Sequence, residues 1–212
     1  MLVSAIMPTR GRPVMAREAV EAWKQQTYAP GELLILDDLD APSFPEGYSG
    51  DGVRYWRIER KTIAQKRNIL CEYARGEVIV HWDDDDVSAP GRITDQVERL
   101  LGHGTPVTGY HSMRFLDVAS GAWYRYSGSL YYAVGTSLCF RRWYWERNRF
   151  EEVHEGKQVI ISEDNIFVAR ASRYIVSVDA GEMMYARIHG AHSSEKTIIR
   201  ADGTFCDNWR PA

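Results

Sequence analysis

The sequence predicts an α/β fold, in which a mostly parallel sheet is flanked by helices and followed by a smaller antiparallel region. Two observations carry this prediction. Aliphatic runs alternate with segments of helical spacing through the first half of the chain, and aromatic segments punctuated by glycine replace that alternation beyond Thr105. At 212 residues, the chain has the length of one ordinary domain with a sizeable core.

The first half alternates predicted strands with predicted helices. Leu2–Met7 is an apolar run that ends at Pro8, and Val14–Thr27 then carries apolar residues at helical spacing. The same alternation predicts strands at Leu33–Leu36, Val53–Ile58 and Glu77–Trp82, and helices at Ile63–Ala74 and Pro90–Leu101. Because β-α-β connections produce parallel neighbours, ligands are expected outside the carboxyl ends of these strands.

The second half is predicted to form an α+β cap built from antiparallel strands. Its predicted strands are Val107–Leu116, Trp123–Ser127, Leu130–Phe140, Tyr174–Val178 and Met183–Ile188. Short helices are predicted at Arg141–Arg147 and Glu163–Ala171. No repeat, low-complexity tract or linker divides the chain into independent domains.

Composition narrows the class of protein. The chain has 26 Lys and Arg against 29 Asp and Glu, and this net charge of −3 gives no electrostatic reason to expect nucleic acid as a partner. Leu2–Met7 is too short for the core of a signal peptide or for a membrane span. No later apolar run approaches the length of about 18 residues that a membrane-spanning helix needs. Cys71, Cys139 and Cys206 have neither disulfide nor zinc spacing, which favours the reducing cytoplasm.

Four consecutive aspartates, Asp83 to Asp86, directly follow the predicted strand Glu77–Trp82. Like charges this close repel one another unless a cation or a pKa shift relieves them. Because Mg²⁺ and Mn²⁺ prefer carboxylate oxygens, the run predicts a metal site with Asp85 and Asp86 as leading ligands and Asp83 completing a D-x-D spacing. The alternative is that one or two of these aspartates cap the helix near Pro90.

Two other strand ends carry polar residues. Asp37 and Asp38 follow Leu33–Leu36, where they can accept hydrogen bonds from a ribose or a base, or instead begin the acidic turn that follows. Basic side chains near the same edge are candidates for phosphate contact, or are solvated: Arg10, Arg12, Lys66 and Arg67.

The second half offers a candidate base and two candidate imidazole ligands. Glu163 and Asp164 follow an apolar run, and a partly desolvated carboxylate there can act as a general base; the alternative is a capping role at a helix start. His189 and His192 are three residues apart, and one imidazole joining the carboxylates suits Mn²⁺ better than Mg²⁺. Each histidine read alone is more often structural.

The order of these motifs resembles the family 2 glycosyltransferases of the GT-A fold. The resemblance covers roughly residues 2 to 193 and rests on six motifs in order: V-S-A-I-M-P-T-R, L-L-I-L-D-D, K-R-N, G-E-V-I-V-H-W-D-D-D-D-x-x-x-P, E-D-N and R-I-H-G-x-H-S-S. It implies one Rossmann-like GT-A domain over residues 1–212. The donor half would span 1–104, the acceptor half 105–193 and the tail 194–212.

The resemblance also implies an activity. It implies a metal-dependent, inverting transfer from a nucleoside diphosphate sugar, with uridine diphosphate as the leading nucleotide, to a hydroxyl acceptor, with Mn²⁺ or Mg²⁺ as the cofactor. Pro8, Thr9 and Arg10 would line the nucleotide pocket, Asp38 and less directly Asp37 would hold the base, and Arg67 would lie near the nucleotide. Lys66 beside it remains a candidate for phosphate contact.

Further roles follow from the same resemblance. The D-x-D motif falls on Asp83 and Asp85 and meets the ribose and the metal-bound diphosphate, while Asp86 and His189 complete the metal shell. Because the usual D-S-D-D reads as four aspartates here, Asp84 is a donor-contact candidate too, and the ligand is ambiguous by one position. Asp164 corresponds to the catalytic base, Glu163 to an acceptor contact and Gly135 to the loop beside the donor sugar.

Two other functions remain open at this point. Thr9–Pro13 is similar to the Gly-rich loop of sugar-1-phosphate nucleotidyltransferases, although the preceding G-x-G is missing. The Trp and Tyr residues between Tyr110 and Trp145 also suit a non-catalytic carbohydrate-binding protein. The chain has neither a Q-x-x-R-W segment nor membrane helices, which argues against a processive polysaccharide synthase.

Overall fold

The computed structural model describes residues 1–39, 41–155, 158–190 and 205–212. The helices in these ranges are α1 (Pro13–Lys24), α2 (Ile63–Tyr73), α3 (Arg92–Gly102), α4 (Arg142–Arg147) and α5 (Glu163–Ala171). The strands are β1 (Val3–Thr9), β2 (Gly31–Asp37), β3 (Ser49–Gly50), β4 (Val53–Arg57), β5 (Val78–His81), β6 (Asp86–Ser88), β7 (Val107–Asp117), β8 (Trp123–Ser127), β9 (Cys139–Arg141), β10 (Val153–Glu155), β11 (Gln158–Ile161), β12 (Ile175–Asp179), β13 (Met184–Ile188) and β14 (Trp209–Pro211).

One large sheet runs through the molecule in the order β14-β8-β7-β9-β5-β1-β2-β4-β3. Strand β1 lies parallel to both β2 and β5, and β2 lies parallel to β4. This confirms the predicted parallel sheet of the first half. It also brings the carboxyl ends of β5, β1 and β2 side by side.

The two faces of the parallel strands are covered by different helices. Ile6 and Leu34 point into a core that includes residues of α2, α4 and α5, whereas Met7, Leu33 and Ile35 point into a core that includes residues of α1 and α3. Successive side chains of a strand point to opposite faces, so a strand covered on both faces must be apolar throughout. The uninterrupted aliphatic runs of β1 and β2 therefore fit strands that are covered by helices on both faces.

Helix α2 begins with a capping box that fixes its first turn. The Gln65 amide donates to Thr62 Oγ1 at 3.3 Å, and the Thr62 amide donates to Gln65 Oε1 at 3.1 Å. These two bonds satisfy backbone donors that have no partner inside the helix. The helix start is thereby set so that Lys66 and Arg67 lie buried toward the carboxyl edge of the sheet.

The strands of the second half are not all antiparallel, as the predicted cap would have them. Strand β9 pairs antiparallel with both β5 and β7, so the sheet continues without a break, and β12 and β13 lie parallel to β7. The last residue of the acidic run begins a further strand that the sequence did not predict, β6, which pairs with β13. These pairings join segments far apart in the chain, and local patterns carry no information on such partners.

The predicted strand Leu130–Phe140 is wrong for most of its length. Only Cys139–Arg141 is a strand, and Gly135–Ser137 forms a single 3₁₀ turn. The segment packs closely on β7, where a Cβ at Gly109 would lie 2.7 Å from the Cβ of Ala133. The segment runs over Gly109 as an irregular stretch, and the Val134 amide donates to the Tyr110 carbonyl at 2.8 Å.

The predicted tail of residues 194–212 is described in part. Trp209–Pro211 pairs antiparallel with β8, so the described end of the tail adds an edge strand to the sheet. None of the helices in the described ranges is both long enough and apolar enough to cross a membrane.

Candidate active site

Three chain segments meet at the carboxyl edge of the parallel strands. The Thr9 hydroxyl donates to Asp84 Oδ2 at 2.5 Å, which joins the end of β1 to the acidic run after β5. Lys66 Nζ bonds the Thr9 carbonyl at 3.2 Å and Asp38 Oδ1 at 2.9 Å, which joins β1 to the residue after β2. The edge predicted from the strand order is thus held together by side chains of the predicted site residues.

Three of the four aspartates form a compact acidic group, which we define as Asp83, Asp85 and Asp86. One carboxylate oxygen of each lies within 4.8 Å of the others. The pairing of β6 with β13 sets Asp86 opposite Ala186, and His189 follows β13 so that its Nε2 lies 3.0 Å from Asp85 Oδ2. Carboxylate oxygens with one imidazole nitrogen make a donor set that fits Mn²⁺ or Mg²⁺.

Asp84 does not join the acidic group. Its side chain is fully buried, with the Thr9 hydroxyl on Oδ2 and Arg12 Nη2 2.6 Å from Oδ1. Burial raises the pKa of Asp84 to about 6, against the opposing effect of the Arg12 charge. Contrary to the expectation that Asp84 contacts the donor, the structure turns it inward, where it anchors the acidic run to β1. The contacts with Thr9 and Arg12 hold Asp84 inward, within the turn that Asp84 and Asp85 form between β5 and β6.

Asp86 is positioned from two sides. Its backbone belongs to β6, and its Oδ2 accepts a hydrogen bond from the Thr136 hydroxyl of the 3₁₀ turn. Helix α3 begins after Gly91 and has no side-chain cap. The alternative in which an aspartate of the run caps this helix is therefore wrong.

Arg67 links the acidic group to the start of α5. Its Nη2 lies 3.1 and 3.2 Å from the two carboxylate oxygens of Asp83, and its Nη1 contacts Glu163 Oε1. Burial opposes ionisation of Asp83, but Arg67, together with His81 and the Thr136 hydroxyl, lowers its pKa to about 2. Burial raises the pKa of Glu163 to about 7, with Arg67 opposing and Asp164 adding to the shift.

The two aspartates after β2 have different surroundings. Asp37 is fully buried and accepts hydrogen bonds from the amides of Leu39 and Ser43, at 3.2 and 2.8 Å, and from the Tyr55 hydroxyl at 3.1 Å. Asp37 therefore holds its own loop, as the turn interpretation predicts, and the structure does not direct it toward a base. Asp38 carries the ion pair with Lys66, beside the end of β1.

Asp164 lies directly over Gly135. Its Oδ1 accepts hydrogen bonds from the Ser162 hydroxyl and, at 2.8 Å, from the Asn165 amide. A Cβ at Gly135 would lie 1.8 Å from Asp164 Oδ2, so only glycine leaves room for this carboxylate. The predicted base and the predicted glycine of the donor loop are thus brought into contact.

The remaining predicted residues lie nearby with different exposure. Pro8 is buried inside β1, opposite Leu36, so its side chain belongs to the sheet and not to an open pocket. Arg10 is partly exposed on the loop after β1. His192 lies outside the described residues.

Sequence reasoning missed three residues that the structure brings to the site. His81 donates from Nδ1 to the Gly135 carbonyl at 2.7 Å, Thr136 bonds Asp86, and the buried Arg92 bonds the carbonyls of His81 and Thr136. His81 lies just before Trp82 and the acidic run, and Thr136 follows Gly135. Their position next to predicted site residues was the sequence feature that could have identified them. Arg92 had no signal beyond its place at a helix start.

Comparison with known proteins is consistent with this geometry. The sequence model of Glycosyl transferase family 2 matches residues 4–166, most of the chain. The chain belongs to this family. The matched range includes the carboxyl ends of β5, β1 and β2 and the Glu163–Asp164 pair. Of the candidate metal ligands within the described residues of this glycosyltransferase, His189 alone lies outside it.

A curated relative matches part of this glycosyltransferase. It is the UDP-Glc:alpha-D-GlcNAc-diphosphoundecaprenol beta-1,3-glucosyltransferase WfgD of Escherichia coli, with 31% identity over 104 residues. The match covers 47% of this chain and 41% of the relative. The chain therefore matches less than half the length of this relative.

Solved structures of glycosyltransferases share the fold. TarS 1-349 of S. aureus, in complex with UDP-GlcNAc, superposes with a TM-score of 0.68 at 15% identity, over 92% of this chain and 62% of that one. The mannosyltransferase PcManGT of Pyrobaculum calidifontis, in complex with GDP-Man and Mn²⁺, superposes with a TM-score of 0.61 at 16% identity, over 88% of this chain and 56% of that one. The likeness supports the GT-A fold.

Proposed function

We propose that this glycosyltransferase moves a sugar from a nucleoside diphosphate sugar, with uridine diphosphate as the leading nucleotide, to a hydroxyl acceptor, with inversion and with a divalent metal. The observation that carries the proposal is the acidic group beside His189, bridged by Arg67 to the start of α5. A metal-type donor set and a candidate base thus face one edge of the sheet.

Nucleotide recognition is assigned to the residues around the end of β1. Asp38 and Lys66 form a buried ion pair beside Thr9, so a base or ribose meets both a carboxylate and an ammonium group there. Two similar proteins support uridine diphosphate as the first nucleotide to test: TarS, solved with UDP-GlcNAc, and WfgD of Escherichia coli, whose name includes UDP-Glc as the donor.

Metal binding is assigned to Asp85, Asp86 and His189, with Asp83 beside them. A divalent cation held there supplies positive charge that offsets the charge developing on the departing diphosphate. Arg67 and Arg12 hold Asp83 and Asp85 by ion pairs at 3.1 and 2.9 Å, which reduces the repulsion within the group and keeps the carboxylates in place. PcManGT, solved with Mn²⁺, supports manganese as the first ion to test.

Asp164 is assigned as the general base. Both of its hydrogen bonds from Ser162 and Asn165 go to Oδ1, which leaves Oδ2 to take the proton of the acceptor hydroxyl. The deprotonated oxygen then attacks the anomeric carbon as the diphosphate leaves from the opposite side, so one displacement inverts that carbon. Glu163 is buried against Arg67, and this contact assigns it to holding the site and lining it on the acceptor side.

A thermal-shift screen tests the donor half without knowledge of the acceptor. With Mn²⁺ present, we expect uridine diphosphate and its sugars to raise the melting temperature, because a ligand at about 100 times its Kd stabilises the folded state by about 2.7 kcal/mol. Asp85→Asn should remove the Mn²⁺-dependent part of this shift. A lipid-linked sugar is the first acceptor to assay, because the name of the relative WfgD includes GlcNAc-diphosphoundecaprenol.

Two outcomes would contradict the proposal. No stabilisation by any nucleoside diphosphate, with or without Mn²⁺, would leave no donor site. Release of pyrophosphate from UTP and a sugar phosphate would instead favour the nucleotidyltransferase alternative.

A further inference from the structure

Arg92, the first residue of α3, is buried completely under the acidic run. Its guanidinium carbon lies 5.1 Å from the centre of the Trp82 ring. Within the described residues, it donates three hydrogen bonds, all to neutral oxygens, and its Nε is buried without a partner. A buried guanidinium that is hydrogen-bonded only to neutral groups carries a large desolvation cost, so its presence calls for a physical reason.

The three acceptors of Arg92 belong to three separate segments. Nη2 donates to the His81 carbonyl at 2.8 Å and to the Thr136 carbonyl at 2.9 Å, and Nη1 donates to Ser88 Oγ at 2.9 Å. His81 ends β5 just before the acidic run, and Ser88 ends β6 just after it. Arg92 thereby joins both ends of the acidic run to the 3₁₀ turn at Gly135–Ser137.

This turn contacts both halves of the proposed reaction centre. Thr136 donates its hydroxyl to Asp86, and the backbone of Gly135 supports Asp164. A second bond, from His81 Nδ1 to the Gly135 carbonyl at 2.7 Å, ties the turn to β5. The position of the turn therefore determines where Asp86 lies relative to Asp164.

The charge of Arg92 acts on the same residues. Burial lowers the pKa of Arg92, while Tyr110, Asp86 and Asp83 oppose that shift. A positive charge below the acidic run attracts Asp83 and Asp86 without an ion pair that would occupy their oxygens. A planar guanidinium is suited to this role because it spans several fixed acceptors at once.

We propose that Arg92 is a positioning residue that sets the metal-binding geometry of Asp86 through Thr136. The inference rests on the proposed function, since it assigns Arg92 to the cation site of that reaction. Partners that orient metal ligands from outside the ligand shell commonly change metal affinity by 10- to 100-fold when they are removed. Arg92 is not assigned a contact with substrate.

Direct Mn²⁺ binding in the presence of uridine diphosphate tests the inference, with free Mn²⁺ measured by electron paramagnetic resonance. We expect Arg92→Lys to bind Mn²⁺ at least 10-fold more weakly, since lysine keeps the charge but cannot span the three acceptors. Arg92→Met, which loses the charge too, should bind more weakly still. Leu100→Ala is the matched control, because Leu100 is buried in the same helix and packs in the core with α1. It should lower the melting temperature and leave Mn²⁺ affinity within about twofold.

Thr136→Val tests the proposed route and covers the case in which neither Arg92 variant folds. It removes the hydroxyl that bonds Asp86 and keeps the side-chain shape, so Mn²⁺ affinity should fall. In the Arg92→Lys/Thr136→Val double variant, the two losses should be less than additive, because both act on Asp86. Fully additive losses, or an unchanged affinity in Thr136→Val, would overturn the inference.

The outcome also separates this inference from the function on which it rests. If the wild-type protein binds Mn²⁺ and a folded Arg92→Lys variant binds it equally well, the role of Arg92 is wrong and the proposed function stands. If the wild-type protein does not bind Mn²⁺ with uridine diphosphate, the proposed metal dependence fails and this inference fails with it.

Discussion

The carboxyl edge of β5, β1 and β2 and the turn at Gly135–Ser137 serve one site but are built differently. The edge is formed by aliphatic strands that are buried on both faces. The polar residues directly follow each strand in the sequence, so they are located as soon as the strand is recognised. The turn holds its position through contacts with distant residues, among them His81, Asp86 and Arg92. The comparison teaches that the residues of the strand edge follow from local sequence pattern. The residues between the proposed metal site and the proposed base depend on tertiary packing.

Asp164→Asn gives the largest expected effect and separates the two regions. Removing a general base lowers the rate about 10²- to 10⁴-fold. Because donor binding is assigned to the strand edge, affinity for uridine diphosphate with Mn²⁺ should stay within about twofold. Release of nucleoside diphosphate from a nucleotide sugar measures turnover, and calorimetry measures binding.

Asp51→Asn is the control for this prediction. Asp51 is exposed in the turn before β4, at the opposite edge of the sheet, and its φ of 50° is one that asparagine also adopts. Its turnover should equal that of the wild type. Full turnover in Asp164→Asn would mean that the base lies elsewhere.

Gly135→Ala sharpens the comparison at the turn itself. The added Cβ would lie 1.8 Å from Asp164 Oδ2, so the turn or the carboxylate must move. We expect a loss of about 1–3 kcal/mol in unfolding free energy and a roughly tenfold or greater loss of turnover. Urea unfolding and the donor-hydrolysis rate measure the two effects.

Gly102→Ala serves as the matched control. A Cβ at Gly102, in the last turn of α3, would meet no atom of the described part of the chain within 4 Å. This variant should be as stable as the wild type or more stable by up to about 1 kcal/mol, since alanine favours the helix over glycine. If both glycine variants behaved alike, the close contact of Gly135 with Asp164 would not matter for function.

His81 lies where the two regions join, and its protonation gives the smallest predicted effect. Burial first, and then the Arg67 charge, hold the pKa of His81 well below its ordinary value in the folded protein. The unfolded chain therefore binds the proton near pH 6.5 while the folded chain does not, so the stability contributed by neutral His81 is lost as the pH falls below about 6.5.

A His81→Gln variant isolates this contribution. Glu163 and Asp84 have raised pKa values in the folded protein, so they act in the opposite direction over the same pH range. The difference between wild type and variant removes their effect. Between pH 7.5 and 5.5, urea unfolding should show the wild type losing about 1 kcal/mol more than the variant. Parallel pH profiles for the two proteins would contradict the assignment.

Sequence reasoning predicted which residues meet at the carboxyl edge of the parallel strands. Thr9, Asp38, Lys66 and the acidic run lie together because each follows or faces the end of a buried strand. It also predicted that Asp83, Asp85 and Asp86 would group together, but it could not predict that Asp84 turns inward. The direction of each carboxylate depends on Arg12 and Thr136, which arrive from distant segments.

The sequence by itself determined the strands of the parallel sheet, their polar ends and the family to which the chain belongs, because hydrophobic periodicity and motif order are local properties. Only the tertiary structure decided that β9 and β6 extend that sheet, that Leu130–Phe140 is mostly irregular and that Arg92 lies beneath the acidic run. The physical reason is that these features arise from backbone pairing and hydrogen bonds between segments many residues apart. A short stretch of sequence does not contain the information on which distant segment it will contact.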